Sequence, residues 1–167
     1  TNQAVNALKA GLVDFAVVTT PVNLTNDMKS ENLCSFNDIL IAGPKYKQLC
    51  NKALHLEELQ EYPFISLVEG TGTHDHYTKF FYDNDLHFNL DMEASTTDQV
   101  LAMVQSNLGL GFYPEQLASE YIMRGEIFPV SLHESVPERD IILIRESRHA
   151  ENIAAKKLIN FLKHTTN

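Results

Sequence analysis

Apolar residues recur along this chain at two periods that take turns. Val5, Leu8 and Leu12 stand at helical spacing, and Gly11 supplies a C-terminal stop. Residues 13–21, VDFAVVTTP, are then nearly continuously apolar and β-branched, the pattern of a strand buried on both faces, and Pro21 closes it. Residues 34–44, CSFNDILIAGP, read as a second strand with a Gly-Pro stop. A short helical turn over 54–59, a short buried strand over 64–67 and a Gly/Thr loop follow. The next helix carries Tyr77, Phe80 and Phe81 as its stripe, and residues 88–95 alternate as a strand.

Thr96 with Gln99 forms a capping box for a helix on which Val100, Leu101, Val104 and Leu108 share a face. LGFYP, residues 110–114, returns as a strand that stops at Pro114, and a helix over 115–124 comes after it. RDIILIRE, residues 139–146, is another buried strand. Ile153, Ala154, Leu158, Phe161 and Leu162 make a final amphipathic helix. This alternation predicts an α/β architecture with mainly parallel sheets.

Composition narrows the function classes. The 167 residues suit one domain or two small lobes, and 44% hydrophobic content supports a core. A net charge of −9 gives no electrostatic footprint for DNA or RNA within this chain. No run approaches the roughly 18 apolar residues of a membrane span, and residues 1–12 lack a secretory pattern. Cys34 and Cys50 read as two free thiols of a reducing cytoplasm. The chain opens without Met and inside a helical pattern, which predicts a fragment of a longer protein.

Several tempting motifs fall away on physical grounds. SNLGLGFYP, residues 106–114, runs helix, glycines, strand; a dinucleotide fingerprint needs strand, glycines, helix. Gly109 is therefore expected as a left-handed stop after Leu108, and Gly111 as a point of close packing. His74 and His76, two apart on a helix, face different ways and read as a solvated pair, so no metal site is expected there. His55, His87, His133, His149 and His164 have no evident companions. There is no Gly-x-Ser-x-Gly elbow, and the acidic pairs lie in polar segments that suggest neither the burial nor the enforced closeness acid–base work needs. No cofactor and no catalytic residue is expected.

The ordered set of segments resembles a known family. LKAGLVDFAVVTTP, the stretch from LCSFNDILIAGP to EYPFI, VLAMVQSNLGLGFYPEQLA and RDIILIRE together are similar to the effector-binding domain of LysR-type transcriptional regulators. The resemblance covers essentially the whole chain. It implies a fold like the type 2 periplasmic binding proteins: two Rossmann-like lobes, a ligand cleft and two crossover strands. Residues 1–43 with 141–167 would form lobe I, and 44–140 lobe II, hinged near 41–44 and 138–142. The first strand and helix of lobe I, and the DNA-binding helix-turn-helix, would lie before Thr1.

In open α/β sheets, ligands sit beyond the carboxyl ends of strands, where helix N-termini favour anions. Three places qualify. Thr19 and Thr20 end the first strand, and the resemblance places a ligand-contacting polar residue at Thr19; they equally suit a backbone turn into Pro21. Ser66, Gly70, Thr71, Thr73 and His74 belong to the loop that the resemblance places along the cleft, with Thr73 as the expected N-cap of the next helix. Ser95 heads the helix that Thr96 caps.

The resemblance implies a cytoplasmic sensor, not an enzyme. A small, anionic metabolite is the expected effector, the intact regulator would be a homodimer or tetramer, and DNA contact would belong only to the N-terminal domain. No membrane partner is expected. The alternatives are a solute-binding protein that serves a transporter, and a small-acid dehydratase on the same scaffold.

Overall fold

The computed structural model describes residues 1–147 and 152–165; His149 lies outside the described residues. The chain opens with α1 (Asn2–Lys9), β1 (Phe15–Thr19), β2 (Met28–Phe36) and β3 (Asp38–Ala42). After two 3-10 turns, Pro44–Asn51 and Leu56–Glu61, come β4 (Phe64–Leu67), α2 (Gly72–Tyr82), β5 (Met92–Ala94) and α3 (Thr97–Gln105). It closes with β6 (Leu110–Pro114), α4 (Glu115–Met123), β7 (Phe128–Val130), β8 (Arg139–Glu146) and α5 (Ile153–Thr165). Two compact units result: Thr1–Phe36 with Arg139–Asn167, and Asn37–Glu138.

The first unit is a three-stranded sheet in the order β1-β8-β2, antiparallel throughout. Alternation along β8 sends Ile142 and Ile144 to one face, where Val5 and Leu8 of α1 pack with Ala16 and Val18. Leu143 faces the other way, toward Leu33 and Ile159 of α5. Strand β1 is therefore not buried on both faces as its apolar run suggested: Val17 is substantially exposed. The helical face also stops earlier than expected. Gly11, at φ +66°, takes the left-handed stop, and Leu12, 78% exposed, lies past it. The amides of Gly11 and Leu12 donate to the carbonyls of Leu8 and Ala7 at 3.0 and 2.9 Å, the bonding of a Schellman end. On α5 the inward face is Ala155, Ile159 and the half-buried Leu162; Ile153, Ala154, Leu158 and Phe161 point outward.

The single strand expected over 34–44 is two strands. β2 begins at Met28 and pairs with β8, with a bulge between Asn32 and Cys34. β3 pairs with β6 and β7 in the second unit. The chain thus passes from one unit to the other at Phe36/Asn37, before the expected 43/44, because Asp38–Ala42 belongs to the second sheet.

The second sheet has the order β5-β4-β6-β3-β7. Between the described strands only β4–β5 and β4–β6 run parallel, so this second sheet is mixed and the first antiparallel, not mainly parallel as expected. One face carries Phe64, Phe112 and Leu110 against Tyr77, Phe80 and Phe81 of α2. Tyr77 stacks on Phe112 with centroids 4.5 Å apart. The other face carries Ile41, Ile65 and Tyr113 against Val100, Leu101 and Val104 of α3 and Ala118 of α4. The strand expected over 88–95 contracts to Met92–Ala94, since Phe88 turns instead into the aromatic cluster, 4.9 Å from Phe81. Leu108, 46% exposed, leaves the α3 face.

The glycine-rich turn after α3 divides its labour differently from the sequence pattern. Asn107, at φ +62°, takes the left-handed position, and its Oδ1 accepts from the Lys45 amide at 2.7 Å. Gly109 is needed for closeness: a Cβ there would stand 2.4 Å from the Pro63 carbonyl oxygen. A Cβ on Gly111 would stand 3.0 Å from both the Ile65 oxygen and Val100 Cγ1, so its close packing is real. Thr96 caps α3 as expected, accepting from the Gln99 amide, while Gln99 Oε1 reaches past it to the Ser95 amide at 2.8 Å. The cap of α2 is Thr71 and not Thr73, because the helix starts two residues earlier than expected, at a buried Gly72.

Two stability outcomes follow, measured by denaturant unfolding. Gly109→Ala must move backbone and costs about 2–3 kcal/mol; Gly125→Ala, where a Cβ meets open space at φ +69°, costs only about 1 kcal/mol of backbone strain. Thr71→Ala removes the α2 cap at about 1 kcal/mol.

Candidate functional site

Parallel strands end at the same edge of a sheet. β4 and β5 lie side by side with Leu67 opposite Ala94, and the Val68 amide donates to the Ala94 carbonyl at 3.1 Å. Each strand then runs within a few residues into a helix, β4 into α2 and β5 into α3. Two helices therefore start at the same edge of the second unit, α2 over one face of the sheet and α3 over the other, with their partial positive ends toward the strand termini.

Six of the sequence-predicted residues sit on this edge. Ser66 is buried within β4. Gly70, at φ +80°, turns the loop, and a Cβ there would meet nothing within 4 Å, so the loop is open on that side. The Thr71 hydroxyl donates to the Val68 carbonyl at 2.9 Å and accepts from the His74 amide at 3.2 Å. That hydroxyl shapes the loop. Thr73 and His74 lie in the first turn of α2, both half-buried. Ser95 follows β5, exposed, with its amide held by Gln99.

His74 and His76 are not the solvated pair expected. His74 lies 5.7 Å from the Phe88 ring, with Nδ1 3.4 Å from the Thr78 hydroxyl and 3.9 Å from Asp75 Oδ1. His76 packs 5.2 Å from Tyr77. Among the described residues no three His, Cys, Asp or Glu side chains converge as metal ligands. The edge thus gathers strand-end and helix-start groups, of which the Thr71 hydroxyl and the His74 amide already bond to each other.

Thr19 and Thr20 belong to the other unit, at the carboxyl end of β1. The Thr20 hydroxyl accepts from the Asp140 amide at 2.9 Å, and its carbonyl accepts from Arg139 Nε at 2.9 Å. Arg139 Nη2 lies 3.2 Å from the Thr19 hydroxyl. By its place in the sequence Arg139 only begins a strand; the signal for more is a guanidinium at the mouth of an apolar run, where burial demands that its donors be used.

Two recesses in the second unit involve none of the predicted residues. One, of about 130 Å³, is lined by Tyr62, Phe64, Phe81 and Asp91. The other, of about 490 Å³, is lined by Asp38, Glu115, Pro129 and Glu134. No helix among the described residues is long and apolar enough to cross a membrane.

Comparison with known proteins agrees with the architecture. Among curated sequences, the uncharacterized HTH-type transcriptional regulator YwbI of Bacillus subtilis is 27% identical over 107 residues. That alignment takes in 64% of this chain, which spans about a third (35%) of the YwbI length. Among solved structures, the CcmR regulatory domain of Synechocystis PCC6803 in complex with 2-PG superposes with a TM-score of 0.86 at 13% identity, over 99% of this chain and 79% of that one. The effector binding domain of QuiR in complex with shikimate gives 0.85 at 15% identity, over 99% and 78%. These likenesses establish a shared fold. The family model described as LysR substrate binding domain matches residues 1–167. The chain belongs to the LysR substrate binding domain family.

Proposed function

We propose that this chain is the sensing part of a LysR-type transcriptional regulator, which binds a small anionic metabolite and thereby alters DNA binding by a separate N-terminal helix-turn-helix domain. The observation that carries the reading is the shared edge of β4 and β5, from which both α2 and α3 start. Ser66, Gly70, Thr71, Thr73, His74 and Ser95 would contact the anion at that edge, and Thr19 and Thr20 are further candidate contacts at the end of β1. On this reading the two units act as the family's two lobes. Effector binding would act by shifting the population toward whichever arrangement of the protein holds the effector better. The neighbours solved with 2-PG and with shikimate lend support, since each is a regulatory or effector-binding domain holding a small molecule. The whole regulator would work in the cytoplasm as a dimer or tetramer, with DNA contacted only by its N-terminal part.

Thermal unfolding with 2-PG, shikimate, malate and inorganic phosphate tests the proposal. An anion present at 100 times its Kd stabilises the chain by about 2.7 kcal/mol, a rise in Tm of roughly 5–10 °C. Ammonium and guanidinium compounds of similar size should leave Tm unchanged. A chain that responds to none of the four anions, or equally to the cations, does not sense through this edge.

A further inference from the structure

Thr19 closes β1 half-buried, and its Oγ1 lies 3.2 Å from Nη2 of Arg139. A guanidinium has donors and no acceptor. Arg139 therefore donates, and the threonine oxygen accepts. The arginine is itself fixed in place. It is 5% exposed, its Nε donates to the Thr20 carbonyl at 2.9 Å, and its guanidinium carbon lies 5.2 Å from the centre of the Phe36 ring. The following residue repeats the pattern. The Asp140 amide donates to Thr20 Oγ1 at 2.9 Å, and the Asp140 carboxylate is held by Ser35 Oγ at 2.7 Å and Asn32 Nδ2 at 3.1 Å.

Both strand-end hydroxyls thus receive a donor that cannot reverse its role. A hydroxyl has one proton and two lone pairs. With one lone pair occupied by Arg139, the Thr19 O–H is left to find an acceptor, and among the described residues none takes it. We infer that Arg139 is a positioning residue that fixes the Thr19 hydroxyl as a hydrogen-bond donor, and so selects effectors presenting a carboxylate or phosphate oxygen at the end of β1. The inference rests on the proposed function, and it assigns the ligand's polarity at this end of the site to a side chain that need not touch the ligand.

The test is a double-mutant cycle on the dissociation constants of 2-PG, shikimate, malate and inorganic phosphate. The chains compared are the unaltered one, Arg139→Met, Thr19→Val and the double variant, with Arg139→Lys as the conservative replacement. Methionine keeps an apolar stem beside Phe36 and removes the donors. Each single change should weaken the tightest-binding anion about tenfold or more, the loss of a hydrogen bond to a charged group. The double variant should be no weaker than the worse single, because both remove one interaction, and Arg139→Lys should recover part of the loss. Losses that multiply, or an Arg139→Met chain that binds like the unaltered one, overturn the inference while leaving the proposed function standing. If Arg139→Met does not fold, Thr19→Val against Thr19→Ser decides: serine must bind within about threefold of threonine and valine about tenfold worse, and equal binding by the two overturns the inference. An unaltered chain that binds none of the four anions overturns the proposed function and this inference together.

Discussion

The Leu110 amide donates to the Pro63 carbonyl at 2.9 Å, and the second unit is organised around that bond. It can form only because Gly109 has no side chain: a Cβ would lie 2.4 Å from the same oxygen. The bond sets β6 beside β4 in parallel, with Phe64 opposite Leu110 and Ile65 opposite Gly111. That register places Val100 and Val104 of α3 directly over Gly111. With α3 so placed, β5 lies along the other edge of β4, and the two strand ends that lead into helices come level. A single missing methyl thus carries through to the edge where the anion is proposed to bind.

Much of this was legible in the sequence. Element order and most element positions follow from periodicity, because helix and strand periods differ and each element is half-buried. The misses have physical causes. Apolar residues at a period boundary, such as Leu12 and Leu108, are assigned to a face that the helix has already left. A residue run such as 34–44 is apolar in both of the sheets it serves, and nothing local marks Asn37 as the place where it changes partners. Left-handed positions are a choice among neighbours: Asn107 takes the one expected at Gly109 because its side chain is paired with the Lys45 amide, 62 residues away in sequence. Antiparallel pairing of β8 on both sides is a matter of connection, which periodicity does not encode.

The site follows the same division. Hydroxyls and glycines at strand ends could be chosen from sequence, since strand ends and helix starts are readable. Their mutual bonding could not. Thr71 is engaged on both sides of its oxygen, while Thr19 receives a donor and keeps its proton. Two threonines that look alike in the sequence therefore offer a ligand different things, and the difference is made by partners distant along the chain, Arg139 in the case of Thr19.

In the first sheet β8 lies between β1 and β2, which do not pair with each other. During synthesis, α1, β1 and β2 leave the ribosome about a hundred residues before the strand that joins them. Residues 37–138, a continuous segment with its whole five-stranded sheet, are complete by then. The second unit can therefore fold while the first waits with open strand edges. Only when β8 emerges do Thr19, Thr20 and Arg139 come into register, so the last sheet to close is the one that finishes the hydroxyl pair.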